Sequence, residues 1–151
     1  MNMMSDPNAP RKSWLGLLAK SPAADVARLW ATLTIAPDHT VLRGPEIGSV
    51  MVRGRAGAVG AAFNLGEMTV TRASVKLSDG TIGHGYVQGR DKDHALQAAQ
   101  IDALMQTDAA DVVEATVLGP LRLAATNRKS DRAAKAAATK VDFFTMVRGE
   151  D

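Results

Sequence analysis

Five arginines stand where they could act on an anion. Arg53 and Arg55 are two residues apart in a segment of strand-like alternation, so both guanidinium groups leave the same face. Arg43, Arg72 and Arg90 fall at or near the ends of neighbouring strand-like runs. Converging guanidinium groups suit phosphate or phosphonate oxygens, which they hold through paired, charge-assisted hydrogen bonds. The same residues suit salt bridges to Glu46, Glu67 and Asp91, or contacts with another chain. The other constellations are poorer. His39, His84 and His94 are isolated, whereas a first-row metal needs three or four converging ligands, so no metal site is expected. Spacing leaves a Ser/His/Asp triad open, but no serine sits in a G-x-S-x-G turn. Gly54, Gly57 and Gly60 lack the Gly-Lys-Ser/Thr ending of a P-loop, and Gly83, Gly85 and Gly89 miss G-x-G-x-x-G by one place. Tight turns and close strand–helix packing are the ordinary use of such glycines. No residue is assigned a catalytic role.

The elements that would position these side chains are readable from periodicity. Trp14, Leu17 and Leu18 share a helix face, as do Val26, Leu29, Trp30 and Leu33, which predicts an N-terminal helical hairpin. Ser21-Pro22 is expected to cap the second helix and Pro37 to stop it. The hairpin must bury its apolar face. Either the rest of the domain covers it, or Trp14, Leu18, Leu29 and Trp30 meet a partner chain. From Val41 to Gly89 the period changes to two, and Asp79-Gly80 between apolar runs is a strong hairpin signal. An antiparallel meander of four to five strands is expected, with a β-bulge near Arg72 to bring Val70 onto the face of Val75 and Leu77. Asp91 should cap a helix carrying His94, Ala98, Ile101 and Met105 on one face. Asp111 should cap another through Leu118, with a break at Gly119-Pro120. A basic helix from Leu121 to Lys140, interrupted near Thr126-Asn127, precedes a C-terminal strand of Val141, Phe143, Thr145 and Val147 that joins the sheet. The class is α+β, one domain over residues 1–151, with residues 1–9 as a mobile lead.

Composition narrows the classes further. The chain has 151 residues, 46% of them hydrophobic and 23% charged, which suits a folded soluble domain. Without cysteine it can hold neither a disulfide, a thiolate nucleophile nor an iron–sulfur cluster. It shows neither a signal peptide nor a membrane-spanning run, so a cytoplasmic location is expected. The net charge of +2 conceals two opposed segments. Asp91 to Glu114 holds six acids and one base, and Arg122 to Lys140 holds six bases and one acid. Two solvated helices in partial compensation explain this, as does docking on other chains. A nucleic-acid-binding module would rest on Arg122–Lys140 alone, and the weak net charge and 4% aromatic content argue against it.

Several segments together carry a resemblance. Arg11-Lys12-Ser13-Trp14-Leu15-Gly16-Leu17-Leu18-Ala19, Leu42-Arg43-Gly44-Pro45-Glu46-Ile47-Gly48, Phe63 to Arg72 with its Thr-Val-Thr-Arg end, Gly85-Tyr86-Val87-Gln88-Gly89-Arg90-Asp91, Ile101 to Gln106 and Lys140 to Gly149 occur in order over nearly the whole chain. In this order they resemble the G-subunit family of the bacterial carbon–phosphorus lyase system. The resemblance implies a core complex with H, I and J subunits that lets bacteria use alkylphosphonates. It implies a reaction in which the phosphonate displaces adenine from C1′ of MgATP, giving a ribose 1-alkylphosphonate 5-triphosphate. MgATP and alkylphosphonate are then substrates of the complex. The resemblance further implies that this chain binds no cofactor of its own, that the principal catalytic residues belong to the I subunit, and that C–P bond cleavage belongs to J. In such a complex Arg53, Arg55, Arg72 and Arg90 are the expected anion contacts, a purely structural subunit is the alternative, and the chain alone is expected to self-associate. Many members carry Cys directly after the Thr-Arg pair, where this chain has Ala73, so no thiol role applies at that position.

Overall fold

The stripe of residues 14–33 does fold as two helices, α1 (Ala9–Lys20) and α2 (Ala23–Thr32), in a computed structural model that describes residues 6–57 and 59–140. Three strands follow: β1 (His39–Arg55), β2 (Ala62–Leu77) and β3 (Ile82–Gln88). Then come α3 (Lys92–Leu104), a short α4 (Ala110–Val113), a π-helical turn (Glu114–Leu118) and α5 (Gly119–Ala138). The sheet is antiparallel in the order β1-β2-β3. The described residues hold three strands where four to five were expected, because β1 and β2 are single long strands of 17 and 16 residues. The expected C-terminal strand at Val141, Phe143, Thr145 and Val147 lies outside the described residues.

The hydrophobic core lies between the inner face of the sheet and α3, closed by the helical hairpin and by the turn preceding α5. Thr71, Ala73, Val75 and Leu77 of β2 face inward with Val87 of β3, against Ala95, Ala98, Ala99, Ile101 and Ala103. Thr71 takes the inward place that Val70 was expected to fill, and its hydroxyl donates to the Gly89 carbonyl at 2.8 Å. A hydrogen-bonded threonine can be buried at little cost, so β2 needs no bulge there. Its register against β3 is unbroken from Val70 to Lys76. Near Arg72 the irregularity falls on β1, between Val41 and Glu46, opposite Arg72–Val75, and a further shift at Val52–Arg53 leaves Leu65 of β2 as the extra residue.

β3 carries Gly83 and Gly85 on its inner face because α3 lies directly on it. A Cβ at Gly83 would strike the Ala99 carbonyl, and one at Gly85 the Ala95 carbonyl. Ala95, Ala99 and Ala103, four apart, form the matching small face of α3. The β2–β3 turn is the Asp-Gly turn the sequence predicts. Gly80 has φ +91°, and the Asp79 carboxylate accepts from Thr81 N–H at 2.9 Å.

Five helix-boundary expectations change. Ser21 serves the end of α1, donating its hydroxyl to the Leu17 carbonyl at 2.6 Å, and α2 has no side-chain cap. α2 ends at Thr32, before Pro37. Asp111 lies in the first turn of α4 without capping it, and Gly119-Pro120 does not break the helical path. The preceding π turn closes with Gly119 N–H on the Glu114 carbonyl, and Pro120 follows in the first turn of α5, where a missing N–H is best tolerated. α5 runs unbroken through Thr126-Asn127. Asp91 caps α3 as expected, its Oδ1 accepting from His94 N–H at 2.9 Å.

His94 is buried and joins α3 to α1, with Nε2 2.9 Å from the Leu18 carbonyl. In a continuing helix that carbonyl would accept from residue 22, which is proline and has no N–H. The imidazole N–H supplies the missing donor. Burial chiefly pushes the His94 pKa below its ordinary 6.5, against the opposite pull of the Leu18 carbonyl and the Asp91 charge. The unfolded chain therefore takes up the proton first. Stability is complete above about pH 7 and falls as pH drops through 6.5 towards the lowered value. Urea midpoints from about pH 7.5 to 5.5 should fall for the parent chain. The slope should flatten in His94→Gln, whose amide donates without titrating.

Candidate functional site

Among the described residues no element packs on the outer face of the sheet, which carries Arg43, Glu46, Arg72, Ser74, His84 and Tyr86. Strand alternation and cross-strand register set two adjacent rows. Arg43, Ser74 and His84 form one, and Glu46, Arg72 and Tyr86 form the next. Ser74 Oγ lies 2.8 Å from His84 Nδ1. Arg43 Nη1 and Arg72 Nη2 approach one Glu46 oxygen at 3.6 and 3.4 Å. A shallow cavity is lined by Arg43, Arg72, Ser74, His84 and Tyr86. A neighbouring groove runs from Arg43, Ser74 and His84 to Arg11 and Gln106.

The Ser74–His84 pair is not a hydrolytic dyad. The serine meets Nδ1, the nitrogen that an orienting carboxylate would occupy in a triad. The carboxylate nearest in the hydrogen-bond network, Asp102, accepts from the backbone N–H of His84 and not from its ring. The pair instead fixes the ring on the sheet.

Asp102 supports this face from behind, whereas the sequence places it in an acidic run that suits either a solvated helix or a docking face. The structure buries it completely. It accepts from Arg11 Nε at 3.1 Å, Arg11 Nη2 at 2.8 Å, Trp14 Nε1 at 2.8 Å and His84 N–H at 2.9 Å. The hydrogen bond to Asp102 chiefly, with the charge of that carboxylate, holds the Arg11 guanidinium above its usual pKa against the cost of burial. Asp102 and Gln106 also bond to the β3 edge that no strand pairs with among the described residues, Gln106 Nε2 donating to the Ile82 carbonyl at 2.9 Å. The signal was present in the sequence as Asp102 and Gln106, one helical turn apart.

Of the five arginines expected to converge, Arg43 and Arg72 meet at Glu46, and the other three stand apart. Arg72 belongs to the outer-face rows. Arg53 and Arg55 pair with Asn64 and Ala62 near the end of a two-stranded arm, where β1 and β2 extend past the end of β3. Seven residues of extended strand separate Arg53 from the Glu46–Arg72 row, about 20 Å. Arg90 is exposed just after β3. The five residues therefore form no single cluster. Of the interface candidates, Leu18 and Leu29 are buried in the chain's own core, and Trp14 and Trp30 pack against it half-buried. The domain itself covers the hairpin, and the exposed apolar side chains are elsewhere. Met51, Val59, Phe63 and Leu65 lie on the arm, with Leu65 filling the space over Gly54.

The opposed charge segments meet at one ion pair, Glu114–Arg122, while Arg128 approaches Asp25 of α2 at 3.7 Å. Most of α5 beyond Arg128 is exposed. Among the described residues no helix is long and apolar enough to cross a membrane.

Comparison with known proteins agrees with the segments quoted above. The family model for phosphonate metabolism protein PhnG matches residues 9–149. A protein of Rhizobium meliloti (strain 1021), alpha-D-ribose 1-methylphosphonate 5-triphosphate synthase subunit PhnG, is 46% identical over 145 residues, covering 95% of this chain and 92% of the relative. The match takes in the Arg11–Trp14 anchor, both outer-face rows and Asp102 alike, and so the chain belongs to the PhnG family of phosphonate metabolism proteins.

Proposed function

We propose that this chain is a subunit of a cytoplasmic carbon–phosphorus lyase core complex with H, I and J subunits. In that complex an alkylphosphonate displaces adenine from C1′ of MgATP to give a ribose 1-alkylphosphonate 5-triphosphate. The observation that carries this reading is the near full-length match to a relative named as a subunit of that synthase. The arm adds physical support. A two-stranded ribbon is marginal in water on its own, and this one exposes Met51, Phe63 and Leu65, as a surface completed by another chain would. Left alone, the chain self-associates through that surface.

The reaction builds positive charge on the ribose while two anionic substrates must be brought together. The principal catalytic residues belong to the I subunit, and MgATP arrives as substrate. This chain contributes cations, with Arg53 and Arg55 carried on the arm into the neighbourhood of a nucleotide held by a partner. A purely structural role is the second reading, favoured by the same exposed apolar residues.

One reconstitution separates the two. Co-expressed with the H, I and J components, the chain should co-purify through a tag on another subunit, and failure to do so would sink the proposal. Arg53→Ala with Arg55→Ala should leave assembly intact and slow adenine release from MgATP and methylphosphonate about tenfold, near 1.4 kcal/mol of barrier. Unchanged release in the assembled variant would leave only the structural role.

A further inference from the structure

We infer that the outer face of the sheet holds a second anion site, binding one tetrahedral phosphoryl or phosphonyl group between Arg43, Arg72, Ser74 and His84. It stands about 20 Å from the arm arginines and cannot share a single phosphorus with them. Only the choice of phosphonate as a probe rests on the preceding reading.

Four features of this face converge. Arg43 and Arg72 line one cavity with Ser74, His84 and Tyr86. The two guanidinium groups share one carboxylate, Glu46, at 3.6 and 3.4 Å, so one positive charge is left uncompensated there. These contacts are single and long, and each guanidinium has five N–H donors, so most of them remain available. The Ser74–His84 bond holds the imidazole through Nδ1 and leaves Nε2 for a ligand. The backing is rigid, because Asp102 grips the backbone N–H of His84 and the side chain of Arg11 at the far side of the adjoining groove.

This set is selective for a tetrahedral oxyanion over a flat one. A carboxylate offers two oxygens in a plane and would satisfy one arginine fork. A phosphoryl or phosphonyl group offers three, enough for both guanidinium groups and an imidazole or hydroxyl donor. Glu46 acts as the competitor, occupying the arginines until an anion displaces it. An exposed pair of this kind is weak, so displacement is easy.

The full-length chain titrated with inorganic phosphate, methylphosphonate and MgATP, and followed by amide and imidazole NMR, tests the site. Shifts at Ser74, His84 and Tyr86 are expected. Arg72→Ala should weaken binding by a factor of about ten, and Glu46→Gln should tighten it several-fold. Arg132→Ala on α5, which removes the same charge from another face, should change nothing. Response to phosphate and methylphosphonate identifies a free tetrahedral anion as the ligand, and response to MgATP alone identifies the phosphate chain of a nucleotide. The inference fails if no probe shifts these residues, if Arg72→Ala binds as the parent does, if Glu46→Gln binds more weakly, or if acetate competes equally. Adenine release by the complex is not part of this readout, so the site and the proposed reaction can fail separately.

Discussion

Replacing Asp102 by alanine is expected to cost about 3–5 kcal/mol, the penalty for removing one partner of a buried, hydrogen-bonded charge pair. Four donors would lose their acceptor at once: two from Arg11, the Trp14 indole and the His84 backbone. The cost comes from what is left behind, since Arg11 and Trp14 are partly enclosed and cannot all turn to water. At about 2–4 °C per kcal/mol for a domain of this size, the thermal midpoint should fall by roughly 10 °C or more. Asp102→Asn keeps the shape but turns an NH2 group towards donors, and should fall between the parent and Asp102→Ala. Asp108→Ala, an acid of the same charge run, should stay within about 0.5 kcal/mol. Equal effects at Asp102 and Asp108, measured by urea denaturation, would show that the buried network carries no stability.

The second large effect is expected at Gly85. Its absent Cβ is the space occupied by the Ala95 carbonyl, with Ala99 N–H close behind. Both sides of that contact are backbone, one a strand held in register by β2 and the other a capped helix, so no flexible side chain can move aside. Gly85→Val must lift α3 from the sheet, which exceeds the usual overpacking cost of about 1–3 kcal/mol. Loss of a cooperative urea transition is the expected result, with Gly85→Ala retaining a lowered one. Gly48→Ala is the control, because nothing lies within 4 Å of the position its Cβ would take. A cooperative transition in Gly85→Val at the parent's midpoint would contradict the packing described.

The parts of this fold that were legible in the sequence are those where burial and periodicity coincide. The helical hairpin, the Asp79-Gly80 turn and the Asp91 cap each have a local cause that needs no knowledge of the rest of the chain. The strands were harder, because β1 is exposed along almost its whole length and alternation then carries no record of an inner face. Its continuity with the arm was therefore invisible, and the count came out too high. Thr71 shows the same difficulty in small form, since its burial depends on a carbonyl 18 residues away.

The site was legible by residue type and not by grouping. Arg43 and Arg72 are both readable as anion contacts, and the register sets them beside each other and adds Ser74, His84 and Tyr86. Arg53 and Arg55 were joined to that pair only by sharing a charge, and a strand too long to be guessed keeps them apart. Asp102 was hidden by its neighbours, because a carboxylate in an acidic run reads as solvated until its partners, 91 and 88 residues distant, are known.

That last separation has a consequence for how the chain is made. α1 is synthesised early, yet the carboxylate that receives Arg11 and Trp14 follows 91 and 88 residues later. The meander of β1, β2 and β3 can close from neighbouring segments, whereas α1 must wait for α3 before it can dock. During that interval the β3 edge that Asp102 and Gln106 later close stands open. The growing chain is then most exposed to pairing with other strands just before residue 102 emerges, and a truncation ending ahead of α3 should aggregate where the full chain folds.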